Sequence, residues 1–164
     1  MVTNGERCLW LLLAYRVPRE PSTPRIAVWR RLKRLGVAQI GDGLVALPAD
    51  ARTQEQLEWV AEQIAEAGGT STLWRSEATS RAQERALIEE LVQARAGEYA
   101  AITEKATAAT DGADAVRLLR TLRRELRQIE RRDFFPPVER DQARAALRAL
   151  AAVVTDIDRE RTPQ

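Results

Sequence analysis

The chain has 164 residues, of which 45% are hydrophobic, and 26 basic against 24 acidic side chains leave a formal net charge of +2. It contains no histidine and one cysteine, Cys8, which excludes a disulfide framework, a His/Cys metal site and a Ser-His or Cys-His catalytic pair. The first apolar run is shorter than the ~20 residues of a membrane helix, and no signal-peptide pattern precedes it. We therefore expect a cytoplasmic protein without a membrane partner.

The chain opens with a dense apolar run from Leu9 to Tyr15, which predicts a strand buried on both faces. Three prolines follow within seven residues, and they predict an extended turn because they interrupt regular structure. Ser22 or Thr23 is the expected cap of the first helix, and Gly36 supplies its left-handed end.

The first helix is predicted to have an apolar and a basic face. Helical spacing places four large side chains on the apolar face: Val28, Trp29, Leu32 and Leu35. The opposite face carries four cations: Arg30, Arg31, Lys33 and Arg34. Arg25 projects with the apolar face in the first turn, where an unpaired buried charge is costly. It either forms a structural salt bridge, extends its charged end to solvent, or holds an anion at the helix N-terminus.

A short hairpin is predicted next. The strands Ala38–Ile40 and Leu44–Leu47 flank the tripeptide Gly41, Asp42 and Gly43. An Asp-Gly pair between two strands favours a type I′ turn, so we expect the two strands to pair directly.

A second helix and a fourth strand complete the first half. Thr53 with Gln56 predicts a capping box for the helix, and residues 70–76 mix polar and apolar side chains as an edge strand does. The order strand, helix, strand, strand, helix, strand is typical of a ferredoxin-like α+β sandwich, predicted here for residues 1–78. One face of its sheet would be open to a partner or to a second copy of the chain.

Only helices are predicted over residues 79–164, as an appendage of about three. The first reaches Thr107, the second runs from Asp111 to Arg132, and the third spans 138–157. They can form a small bundle or cover the open face of the sheet.

The strongest charge pattern lies on the second of these helices. Five arginines recur there at spacings of three and four residues: Arg117, Arg120, Arg124, Arg127 and Arg131. Such a stripe suits a phosphate backbone or an acidic protein partner, and it is also what a solvated arginine face looks like. The basic side of the first helix is expected to be partly neutralised by acidic residues of the second: Glu55, Glu58, Glu62 and Glu66.

No catalytic constellation is evident in the sequence. It has no glycine-rich phosphate loop, no metal triad and no activated nucleophile, so we predict a non-enzymatic protein without cofactor or metal. The four tryptophans are expected in the core or at interfaces, and Trp59 lies off the apolar stripe of its helix, which favours exposure.

Three segments resemble the N-terminal region of ChrB-type chromate resistance proteins: WLLLAYRVPREPSTPRIAVWRRLKRLGVAQIGDGLVALP (10–48), LEWVAEQIAEAGG (57–69) and LRRELRQIERRDFFPPVERDQARAAL (122–147). The first is also similar to the ferredoxin-like domain of PaaX-type repressors and, more distantly, to the small CRISPR-associated nuclease and integration subunit. The chain lacks the further C-terminal domain of full-length ChrB-type members, the winged helix of PaaX-type repressors and the strand-end aspartate of the CRISPR subunit.

The resemblance implies a chromate-responsive regulator of transcription that binds DNA beside an efflux transporter. In that reading the nine cations of the two basic helices contact DNA, Arg25 holds chromate or a similar oxyanion, and the protein is a homodimer. The alternative is a non-enzymatic protein–protein interaction or dimerisation module of a resistance operon.

Overall fold

The computed structural model describes residues 7–109 and 113–160, and their side chains except those of 113 and 156–160. The chain divides into two compact units, the first ending at Leu91 and the second beginning at Val92. The division lies within a long helix, Arg81–Thr107.

The first unit contains the predicted ferredoxin-like sandwich. Its elements in chain order are β1 (Leu9–Arg16), α1 (Ser22–Leu35), β2 (Ala38–Gly41), β3 (Leu44–Pro48), α2 (Ala51–Glu66), β4 (Thr70–Glu77) and the start of α3 (Arg81–Thr107). The four strands form one antiparallel sheet in the order β2-β3-β1-β4. The predicted fold class is confirmed, and β4 lies at a sheet edge as its mixed composition predicts.

One face of the sheet packs on α1 and α2. Leu11 and Leu13 of β1 lie opposite Leu47 and Val45 of β3, and all four are buried. Val28 and Leu32 of α1 are buried with three apolar side chains of α2: Leu57, Val60 and Ile64. Burying each such side chain contributes about 1.5–3 kcal/mol, so this layer stabilises the unit.

The opposite face of the sheet is only partly open. The start of α3 approaches it, because Glu84 accepts a hydrogen bond from the Cys8 backbone N–H and Glu90 accepts one from the Gln39 N–H at 2.8 Å. Trp10 on this face is buried, whereas Trp74 of β4 is 59% exposed. The partner surface predicted here is therefore reduced to the part near β4.

The helix starts differ from those predicted. The N-cap of α1 is Pro21, with no side-chain hydrogen bond to the first turn, so neither predicted cap acts as one. The capping box of α2 pairs Asp50 with Thr53, three residues earlier than predicted, because the Asp50 carboxylate accepts from the Thr53 N–H at 2.7 Å. The end of α1 is as predicted, with Gly36 left-handed at φ 74°.

The β2–β3 turn is not type I′. That turn needs positive φ at both central residues, and of the pair only Gly43 has it, at 71°. Register between β2 and β3 shifts between Gln39 and Gly41, which accommodates the different turn. Gly43 also lies against Tyr15, whose N–H donates to the Gly43 carbonyl at 2.7 Å. A Cβ at this position would overlap the Tyr15 carbonyl oxygen.

The second unit is a helical bundle built from the rest of α3, α4 (Ala113–Glu130) and α5 (Glu139–Glu160). Its core draws on all three helices and includes Tyr99, Ile102, Leu122, Ile129, Leu147 and Leu150. Val116 of α4 is exposed, and Ala115 is buried beside it.

Candidate nucleic-acid and anion-binding surfaces

The side of α4 that faces away from the bundle core is covered by arginines. We call the following exposed set the α4 arginine face: Arg117, Arg120, Arg123, Arg124 and Arg127. The predicted stripe had Arg131 in place of Arg123. Arg131 is exposed as well, but it lies beyond the last helical residue and is engaged in an interaction of its own.

The guanidinium groups of this face are not neutralised by carboxylates. Within residues 7–109 and 113–160, none of the five has an acidic oxygen at salt-bridge distance. The two glutamates of α4 that could have offset them are committed elsewhere, Glu125 to Lys105 at 3.2 Å and Glu130 to Arg144 at 2.7 Å. The positive charge of the face is therefore available to an anionic partner.

The basic side of α1 is also free of ion pairs in the described part of the chain, although α1 and α2 are neighbours. Partial neutralisation by the acidic residues of α2 was expected, and no ion pair between the two helices provides it. Arg31 is half-buried, with its guanidinium 5.9 Å from the ring centroid of Trp59 and its Nη1 donating to Gln63 at 3.4 Å. We call the exposed remainder, Arg30, Lys33 and Arg34, the α1 basic face.

Two side chains predicted on the apolar side of α1 are exposed. Trp29 is 51% exposed, and Lys33 Nζ lies 5.3 Å from its ring centroid. Arg25 is exposed too, so burial does not force a partner upon it. The reason is that Val28 and Leu32 alone form the fully buried stripe of the helix, which is narrower than the sequence pattern indicates.

Arg25 and Trp29 line an open cavity of about 680 Å³, which we call the β1 cavity. It lies where the end of β1, the first turns of α1 and the β2–β3 turn meet. Other lining side chains include Tyr15, Arg16, Arg19 and Asp42. Three arginines and one aspartate give this wall a net charge of +2 (three minus one).

The arginines of the β1 cavity have no carboxylate at salt-bridge distance among the residues that the structure describes. Burial raises the pKa of the Tyr15 hydroxyl, so the phenol stays neutral and can donate a hydrogen bond. Arg16, Arg19 and Asp42 were not anticipated from the sequence. The available signal was the turn RVPREPSTPR, whose prolines restrict the backbone between three arginines.

A smaller cavity of about 280 Å³ lies between α4 and α5. Arg120 and Arg123 of the α4 arginine face line it, together with Thr155 of α5. Two arginines that line the same recess can hold one phosphate between their guanidinium groups.

A buried polar cluster explains the Asp133-Phe134-Phe135 motif. The Tyr99 hydroxyl donates to Asp133 Oδ2 at 2.7 Å, and both burial and this carboxylate raise the Tyr99 pKa. Arg95 is only 7% exposed and pairs with Glu98 at 3.0 Å, and burial lowers its pKa against the opposing effect of that carboxylate. The cluster joins α3 to the end of α4, so the motif has a structural role.

Arg132 belongs to the same cluster and not to the binding surface. Its Nη2 lies 2.9 Å from Glu98 Oε1. In the described ranges, no group of three or more acidic or cysteine side chains is placed to hold a metal ion. No helix there is long and apolar enough to cross a membrane.

Comparison with known proteins places these features in a family. A family model described as Protein ChrB, N-terminal, matches residues 25–115. Protein ChrB of Cupriavidus metallidurans is 31% identical over 133 residues, which cover 77% of this chain and 40% of that protein. The chain therefore spans less than half the length of this relative.

A solved structure shares the fold alone. The uncharacterized protein Rv0674 from Mycobacterium tuberculosis matches with a TM-score of 0.54 at 14% identity, over 91% of this chain and 61% of that one. The family model covers more than half of the sequence, including α1 from Arg25 onward and Asp42 of the β1 cavity. Because this model matches more than half of the sequence, the chain belongs to the ChrB family and matches its N-terminal region.

Proposed function

We propose that the chain acts in chromate resistance as a regulatory protein that binds DNA through the α4 arginine face, with the α1 basic face as a second contact. The single observation that carries the DNA claim is the set of five exposed guanidinium groups on one side of α4, with no carboxylate partner in the described residues. Membership of the ChrB family supports the link to chromate resistance.

The spacing of the arginines fits a phosphate backbone. Arg117 and Arg127 lie ten positions apart, which is about 15 Å along a helix. Double-stranded DNA carries one charge per ~1.7 Å of axis, so several phosphates lie within that reach. Each phosphate that an arginine neutralises releases counterions, and five such contacts give a slope of log K against log salt of about −4.5.

An oxyanion such as chromate is the proposed effector, bound in the β1 cavity at Arg25. Arg16 and Arg19 line the same cavity and supply further guanidinium groups. A doubly charged oxyanion offers several acceptor oxygens to these forked donors. The proposed role is binding without catalysis, because guanidinium groups hold anions but do not exchange protons near neutral pH.

Fluorescence anisotropy against the DNA upstream of its own operon, at several salt concentrations, tests the DNA claim. The triple variant Arg120→Ala, Arg124→Ala and Arg127→Ala should weaken binding to all sequences and reduce the salt slope by about 2.7. The matched control removes three exposed arginines outside both faces: Arg81, Arg85 and Arg148. Absence of binding at low salt, or an equal loss in the two triple variants, would remove the claim.

The interaction-module alternative is favoured by the exposed tryptophans. Trp59 and Trp74 are 50% and 59% exposed, and half-exposed indoles are frequent at protein interfaces. Light scattering distinguishes the two functions. A homodimer whose mass is unchanged by DNA supports the module, whereas a mass increase on DNA addition supports the regulator.

A further inference from the structure

The β1 cavity is larger and more varied than a bare oxyanion requires. Its volume of about 680 Å³ lies within the ~300–1,000 Å³ of pockets that enclose molecules of drug size. Its guanidinium groups share the wall with apolar surface from Ile26, Trp29 and Tyr15. An inorganic oxyanion would contact the cationic part and leave the aromatic part without a ligand.

The charge of the cavity matches a phosphate monoester. Three arginines against Asp42 leave +2, and a phosphate monoester carries about −1.5 to −2 near neutral pH. A carboxylic acid would neutralise only half of that charge. Arginine forks also match the geometry of phosphate oxygens bidentately.

The remaining lining groups fit the other parts of a nucleotide. Trp29 presents a half-exposed indole, and every nucleobase has a flat face that stacks on such a ring. Asp42 offers a carboxylate that accepts hydrogen bonds from sugar hydroxyls. Gln39 donates one amide hydrogen to the Gly41 carbonyl at 3.0 Å, which leaves the side-chain oxygen of Gln39 as an acceptor.

We propose that the β1 cavity binds a free nucleotide, with the phosphate on Arg16, Arg19 and Arg25 and the base against Trp29. The assignment deepens the proposed anion binding at Arg25 and rests on it. Inorganic oxyanions then occupy only the phosphate position of a larger site.

Isothermal titration calorimetry with AMP, ribose 5-phosphate and inorganic phosphate tests the proposal on the full chain. AMP should bind about tenfold more tightly than ribose 5-phosphate, because only AMP carries a base to stack. Trp29→Leu should abolish that tenfold difference and leave ribose 5-phosphate binding unchanged, whereas Arg25→Gln should weaken both. Trp59→Leu is the matched control, since that indole is equally exposed but does not line the cavity.

The outcomes separate this proposal from the function on which it rests. Equal affinity for AMP and ribose 5-phosphate, or an equal effect of the two tryptophan variants, overturns the nucleotide assignment even if inorganic phosphate or chromate binds. Absence of any anion binding overturns both anion claims, and DNA binding by the α4 arginine face is measured independently. A 5′-phosphorylated oligonucleotide is tested as a competitor of AMP. If it binds at a lower concentration than AMP does, the cavity binds the end of a nucleic-acid strand, and the assignment to a free nucleotide is overturned.

Discussion

The hydroxyl of Tyr99 should be important for the stability of the helical unit. The ring is fully buried, and its hydroxyl donates to Asp133 Oδ2 at 2.7 Å, while Asp133 Oδ1 is buried without a partner in the described residues. Tyr99→Phe therefore leaves the carboxylate with no hydrogen bond from this side. Hydrogen bonds to charged groups contribute about 1.5–3 kcal/mol, so we expect the free energy of unfolding to fall by about 2 kcal/mol.

Urea denaturation followed by circular dichroism at 222 nm measures this effect. With a slope of about 2 kcal/mol per molar urea, a loss of this size moves the midpoint by about 1 M. Tyr15→Phe is the matched control, because the hydroxyl of Tyr15 has no hydrogen-bond partner within the described ranges and the chain has only two tyrosines. If both variants shift the midpoint equally, the buried hydrogen bond does not stabilise the unit.

The pH dependence of the same variant follows from the raised Tyr99 pKa. An unfolded tyrosine ionises near pH 10, while the folded Tyr99 stays neutral, so the wild-type chain loses stability as the pH rises above about 10. Tyr99→Phe lacks this contribution. The stability difference between wild type and variant should be constant below pH 9 and shrink above pH 10, and a constant difference at pH 11 would contradict the shift.

Two further substitutions test local features of each unit by urea denaturation. Gly43→Ala should cost about 1–3 kcal/mol because of its positive φ and its contact with the Tyr15 carbonyl, whereas Gly41→Ala has open space and should change stability by less than about 0.5 kcal/mol. Glu98→Gln should cost about 2–3 kcal/mol, since it leaves two arginines without their carboxylate, and the exposed Glu104→Gln should be near neutral. Equal costs within either pair would refute the corresponding argument.

The fold could be predicted because its signals are local and strong. Three local signals indicate the element order: a dense apolar run, a hairpin turn flanked by glycines, and a left-handed glycine at the end of α1. Only a few sheet topologies are compatible with that order. The boundaries were less predictable. Ser22 or Thr23 was the expected cap of α1, yet the helix already begins at Ser22, because local sequence signals define a helix end only to within one or two residues.

The candidate site was predicted in part. The α4 arginine face follows from helical spacing alone, apart from Arg123. The β1 cavity as a whole was not predicted, because Asp42 shares a cavity with Arg16 and Arg25 only through the antiparallel pairing of β1 with β3. The partners of Glu125 and Glu130 were equally hidden, since an acidic residue on a basic helix can pair with its own helix or with a neighbouring one.

The two edges of the sheet have unequal capacity to grow. The β2 edge is short and bulged, and a backbone N–H of Gln39 is already bound by the Glu90 carboxylate. The β4 edge runs for eight residues, with no further strand beside it in the described chain. Strand addition between copies of the first unit would therefore pair β4 with β4 and end at two copies. Both outer edges of the joined sheet would then be β2 edges, which are obstructed. The Glu90 carboxylate, which binds the β2 edge, thus disfavours open-ended assembly of sheets into fibres.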